Sequence, residues 1–155
     1  MRRFLSLPVY LFLTASVLII GSCAPEACFE ETNAFVKATM LDNETKANKS
    51  PDSLTLYGIG LDSVKIYNKA RNIQPVMFPL NASASTCTFV VSINGVADTI
   101  TFTYNSYPHL ISKECGYTFF HNIDTPVYTK HIIDYIFTAD KKITTANVEN
   151  LRIFY

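Results

Sequence analysis

Residues 86–104 read Thr-Cys-Thr-Phe-Val-Val-Ser-Ile-Asn-Gly-Val-Ala-Asp-Thr-Ile-Thr-Phe-Thr-Tyr. Two alternating runs flank Asn94-Gly95, a pair suited to a two-residue type I′ turn because both positions need positive φ. Counting outward from that turn sets Ile93 against Val96, Val91 against Asp98, Phe89 against Ile100 and Cys87 against Phe102. Cys87, Phe89, Val91, Ile93, Val96, Ile100 and Phe102 then share one apolar face. The other face is hydroxylated, with Thr88 opposite Thr101 and Thr86 opposite Thr103. A slip of one residue would exchange the two faces, so the register is firmly set. Such a hairpin packs one side on a core and shows the other to water.

The same period-two pattern recurs on both sides of the hairpin. Strands are expected within residues 34–41, 53–59, 63–67, 110–112, 117–120, 131–138 and 149–155, rich in β-branched and aromatic residues. In the last two, Ile133, Tyr135 and Phe137 should share a face, as should Leu151, Ile153 and Tyr155. Residues 43–52 read as an exposed loop and residues 139–146 as a second connection. Seven or eight short strands separated by Asn, Asp, Pro and Gly predict an all-β fold. An antiparallel β-sandwich, immunoglobulin-like or similar, is the expected solution, with a small β-barrel as the alternative.

The chain has 155 residues, with 13 basic and 13 acidic side chains and no net charge. That length suits one domain. Balanced charge argues against a nucleic-acid partner. Hydrophobic residues make up 48% and charged residues 17%, enough apolar surface for a core and too little charge for disorder.

The N-terminus has the layout of a secretory signal: Arg2 and Arg3, an apolar run from Phe4 to Ile20, then small residues. Its ending, Ile20-Gly21-Ser22-Cys23, resembles the lipobox of bacterial lipoproteins. The resemblance implies cleavage after Ser22 and lipidation of Cys23. The run is long enough for an uncleaved membrane anchor, for which about 20 residues are needed. Pro8 and the small residues before Cys23 disfavour that reading. The expected layout is a signal peptide over residues 1–22, a lipidated tether over 23–30 and one β-domain over 31–155. Several acyl chains would hold such a protein at a membrane, since stable anchoring takes more than one lipid signal.

With Cys23 lipidated, Cys28, Cys87 and Cys115 remain, allowing one disulfide. Cys87 lies on the apolar face of the hairpin, where it reads as a buried free thiol. A Cys28 to Cys115 bridge is therefore expected, tying the tether to the body, in an exported protein able to keep a disulfide.

The residues that could carry chemistry form no pattern. His109, His121 and His131 lack metal-ligand spacing. Asp42, Asp52, Asp62, Asp98 and Asp124 sit singly near turns, where such residues usually bond their own backbone. Asp134 stands apart, within an apolar run. No nucleophile elbow, P-loop or dinucleotide fingerprint occurs. Accordingly no catalytic residue, cofactor or metal site is expected. The candidate binding patch is the aromatic stretch Tyr104, Asn105 and Tyr107, read as a loop.

Taken together, the lipobox, Cys28, residues 98–104, residues 112–117 (Ser-Lys-Glu-Cys-Gly-Tyr) and the closing residues 147–155 resemble small Bacteroidetes lipoproteins whose domain has no assigned function. Asp52-Ser53-Leu54, Asp62-Ser63-Val64 and Asp98-Thr99-Ile100 also match the short O-glycosylation motif of such bacteria, a pattern that chance readily produces. The resemblance supports the Cys28 to Cys115 pairing and carries no catalytic residue. The resulting expectation is a non-enzymatic, lipid-anchored binding or structural module of the bacterial cell envelope. It would sit on the periplasmic face or cell surface, with the membrane and a glycan or envelope protein as partners. An envelope glycan hydrolase and a fibre or adhesin subunit are the alternatives.

Overall fold

The computed structural model describes residues 28–60 and 64–155. The signal segment and Cys23 lie outside them. Among the described residues eleven strands run in chain order: β1 (Phe35–Leu41), β2 (Leu54–Gly58), β3 (Lys65–Ala70), β4 (Val76–Pro79), β5 (Thr86–Ile93) and β6 (Val96–Ser112). They continue with β7 (Gly116–Ile123), β8 (Val127–Tyr128), β9 (Tyr135–Thr138), β10 (Lys142–Ile143) and β11 (Leu151–Phe154). No helix occurs among the described residues.

The strands form two sheets, one ordered β4-β1-β11-β9 and the other β10-β7-β6-β5-β2-β3, with β8 added to β6. The expected β-sandwich is what forms. Its pairing is antiparallel except at one place: β1 and β11 run parallel, Ala38 opposite Leu151 and Leu41 opposite Phe154. The last strand thus closes the sheet that the first begins. Asn150 stitches that closure, its Oδ1 accepting from Lys37 N at 3.0 Å and its own N donating to Lys37 O at 2.9 Å.

The β5–β6 hairpin adopts the register read from its turn, from Ile93 opposite Val96 to Thr86 opposite Thr103. Asn94 and Gly95 have φ of 50° and 93°, as a type I′ turn requires. Phe89, Val91, Ile93, Ile100 and Phe102 are buried, whereas Val96 beside the turn is exposed. Thr88 and Thr101 bond across the outer face at 3.0 Å.

The core lies between the sheets. Phe78 of the four-stranded sheet packs edge-on against Phe89 and Phe102 of the other, each at 5.4 Å between centroids. Edge-to-face rings place the positive rim of one on the negative face of the next. Val36, Ala38, Met40, Leu151 and Ile153 complete one wall, and Leu54, Leu56, Val91, Ile100 and Ile123 the other.

Three strand expectations need correction. Residues 104–108 are not a loop but the middle of the 17-residue β6, which joins the expected strand at 110–112 to the hairpin. The strand predicted at 131–138 begins only at Tyr135. Ile133 is buried, but Tyr135 and Phe137 point outward, 37% and 50% exposed. The backbone of residues 131–133 is instead wrapped around a carboxylate, described below. Finally, β4, β8 and β10 were not foreseen: Val76 and Phe78 are fully buried, and so is Ile143 of β10, within residues 139–146 that read as a connection.

Candidate functional site

The N-terminal segment is fastened along the β6–β7 hairpin. Cys28 and Cys115 form a disulfide, and Thr118 Oγ1 donates to Thr32 O a few residues on. The bonded Cys115 follows the strand end Ser112, whose Oγ accepts from Cys115 N at 3.0 Å. Gly116, at φ 72°, supplies the left-handed turn back into β7. Chain leaving the body at β1 therefore travels to the tip of this hairpin before reaching Cys28.

Cys87 is free, as expected, but only half-buried. Its sulfur lies 3.0 Å from Tyr104 Oη. That phenol donates to Asn81 O at 2.9 Å and accepts from Asn81 N at 3.1 Å. A phenol has one hydrogen, so in the sulfur contact the Cys87 thiol is the donor. Burial, with Cys87 next, pushes the Tyr104 phenol well above its ordinary range. Tyr104, Asn105 and Tyr107 do not form the exposed loop patch expected from the sequence. Tyr104 is 1% exposed and serves the core, and Tyr107 packs edge-on against Phe120 at 6.2 Å. Asn105 is exposed but stands in a strand, opposite Asn122.

Two surface hollows stand out among the described residues. An apolar groove of about 490 Å³ is lined by Ile59, Val64, Ile66, Leu80, Cys87 and Phe89. A more polar cleft of about 380 Å³ lies on the outer face of the four-stranded sheet, with Thr39, Lys46, Asn48, Tyr135, Glu149 and Arg152 in its walls. There Tyr135 and Phe154 stack at 4.1 Å. Lys46 Nζ is 5.0 and 4.9 Å from the two centroids. Equal distances from two stacked rings place the ammonium beside the stack rim, not over a free face. Glu149 accepts from Arg152 Nε at 2.7 Å and from Thr39 Oγ1. Among the described residues it is the one carboxylate lining either hollow.

The most heavily bonded carboxylate lies elsewhere. Asp98 faces inward from β6 with its side chain fully covered. It accepts from His131 N at 2.9 Å, Ile132 N at 2.8 Å, Ile133 N at 2.9 Å, His131 Nδ1 at 2.8 Å and Thr129 Oγ1. Burial pushes its pKa up, but the donors outweigh burial and hold it well below the usual carboxylate range. Every acceptor position is used, so Asp98 is a backbone clamp. The reading of Asp98 as a turn residue missed this. The available signal was its place opposite Val91, on the apolar side of the hairpin. Asp98 also lies in the tripeptide Asp98-Thr99-Ile100, where its burial is at odds with an exposed glycosylation site.

Of the histidines, His121 is 2% exposed, with Nδ1 2.8 Å from Ser106 Oγ, and burial lowers its pKa. His109 stacks on Phe120 at 4.1 Å. Among the described residues no group of three or more His, Cys, Asp or Glu side chains is placed to hold a metal ion.

The fold and surface define a two-sheet β-domain with a disulfide-pinned N-terminal segment. The chain belongs to DUF6452, a family of unknown function, whose model matches residues 53–155. That match starts after β1, although β1 lies between β4 and β11 in the sheet. No curated protein and no solved structure matches the chain.

Proposed function

We propose that this is a lipid-anchored protein of the bacterial cell envelope, of the small Bacteroidetes type, acting as a non-enzymatic binding or structural module. The observation that carries the reading is the bond between Cys28 and Cys115. It suits a compartment outside the reducing cytosol. It also fastens to the body a segment that begins five residues after the lipobox cysteine, Cys23.

The absence of catalysis is supported by the use of the carboxylates. A glycoside hydrolase sets two carboxyl groups across a cleft. Among the described residues Glu149 is the one carboxylate in its cleft and is held by Arg152, and Asp98 is spent on backbone amides. A fibre subunit would offer an open edge strand for another chain. Edge strand β3 carries Lys65 and Lys69 and shifts register against β2, edge strand β4 ends in Pro79, and the open side of β6 beyond Thr103 contains Pro108. Edge lysines, irregular register and proline all discourage strand addition.

Metabolic labelling with palmitate tests the anchor. The wild-type protein should carry label and the Cys23→Ala protein none. Label retained by Cys23→Ala would overturn the assignment.

A further inference from the structure

The β6–β7 hairpin is longer than the sandwich it belongs to. Pairing of β6 with β5 ends at Thr103, yet β6 runs on to Ser112, an overhang of about 30 Å at 3.3 Å per residue. Side chains two apart share a face. Phe102 and Tyr104 face the core from β6, as Ile123 and His121 do from β7, all at 2% exposure or less. The same face continues outward through Pro108 and Leu110, opposite Phe119 and Tyr117. There it is uncovered: Phe119 is 45%, Leu110 46% and Tyr117 73% exposed. Phe29, next to the disulfide, is 92% exposed. An apolar strip with an aromatic end thus projects past the core.

We propose that this strip is the surface the protein lays on the lipid bilayer. The inference rests on lipidation of Cys23. Cys28 is five residue steps from Cys23, a reach of at most about 18 Å. The disulfide holds Cys28 at the hairpin tip, so the tip stays within that distance of the acyl chains. Phe and Tyr side chains favour the boundary between headgroups and hydrocarbon. The exposed charges around the tip are Glu30, Glu31 and Glu114 against Lys113. That acidic excess opposes pairing with a second copy and attraction to anionic lipid, and leaves apolar contact with a neutral interface.

The chain has no Trp, so one introduced Trp reports alone. Acylated Tyr117→Trp protein is reconstituted in phosphatidylcholine vesicles carrying brominated acyl chains. Acylated Val96→Trp, at the far end of the β5–β6 hairpin, is the comparison. The expected result is blue-shifted, strongly quenched emission from Tyr117→Trp and unchanged emission from Val96→Trp. Equal, unquenched emission from both, in protein that floats with the vesicles, would overturn the proposal. So would a blue shift at position 117 without quenching, which would mean that protein covers the strip. Failure of the acyl-processed protein to float would remove the anchor itself, and the bilayer contact with it.

Discussion

Asp98 Oδ1 receives both the backbone N–H of His131, at 2.9 Å, and that residue's Nδ1, at 2.8 Å. A carboxylate only accepts, so Nδ1 carries the hydrogen. The pair joins unequal partners, Asp98 fully covered and the His131 side chain 66% exposed. The backbone amides, not the imidazole, therefore dominate the clamp. Asp98→Asn should destabilise the domain by about 3 kcal/mol, as loss of a buried bonded charge does. His131→Ala should cost well under half of that. Denaturant unfolding of the two variants checks the order. Because folding lowers the Asp98 pKa, its contribution is complete above 3.8 and is lost as pH falls toward the folded value.

His121 predicts a second pH dependence, at milder values. Burial lowers its pKa on folding. Its contribution is then complete above the ordinary value of 6.5 and is lost as pH falls through that value to the folded one. Thermal unfolding from pH 8 to pH 5 should show Tm dropping below pH 6.5. His121→Gln should flatten that drop.

The disulfide closes a loop with a sequence separation of 87. Chain-entropy arithmetic for a loop of that length gives about 4.6 kcal/mol. The Cys28→Ser, Cys115→Ser double variant should lose up to that amount of stability and keep the sandwich. Equilibrium unfolding with far-UV circular dichroism reads both.

Gly95 isolates the backbone cost of the turn. At φ 93° an added Cβ meets no atom within 4 Å, so Gly95→Ala adds no clash. The substitution should still cost about 1 kcal/mol, the penalty for a left-handed non-glycine residue. A far smaller change in unfolding free energy would mean that the turn relaxes.

The β5–β6 hairpin was legible because Asn94-Gly95 fixes the turn and the alternation fixes the faces. Strand β11 was legible for the same reason, through Leu151, Ile153 and Tyr155. Its parallel pairing with β1 was not, because nothing local in either strand encodes a partner more than a hundred residues away. The length of β6 was hidden by Pro108, which reads as a breaker. A proline is tolerated there because β6 has left β5 behind at Thr103 and has an open side. Strand β4 has four residues closed by Pro79, too few for a period to show. The Asp98 clamp depends on amides at 131–133, and sequence spacing carries no information about that approach.

The mature N-terminus is the most direct test of the lipid anchor. Intact-mass analysis of protein isolated from its native envelope should give a chain beginning at Cys23 with a diacylglycerol thioether and an acylated amino group. A chain retaining Met1, with an unmodified thiol at Cys23, would contradict it.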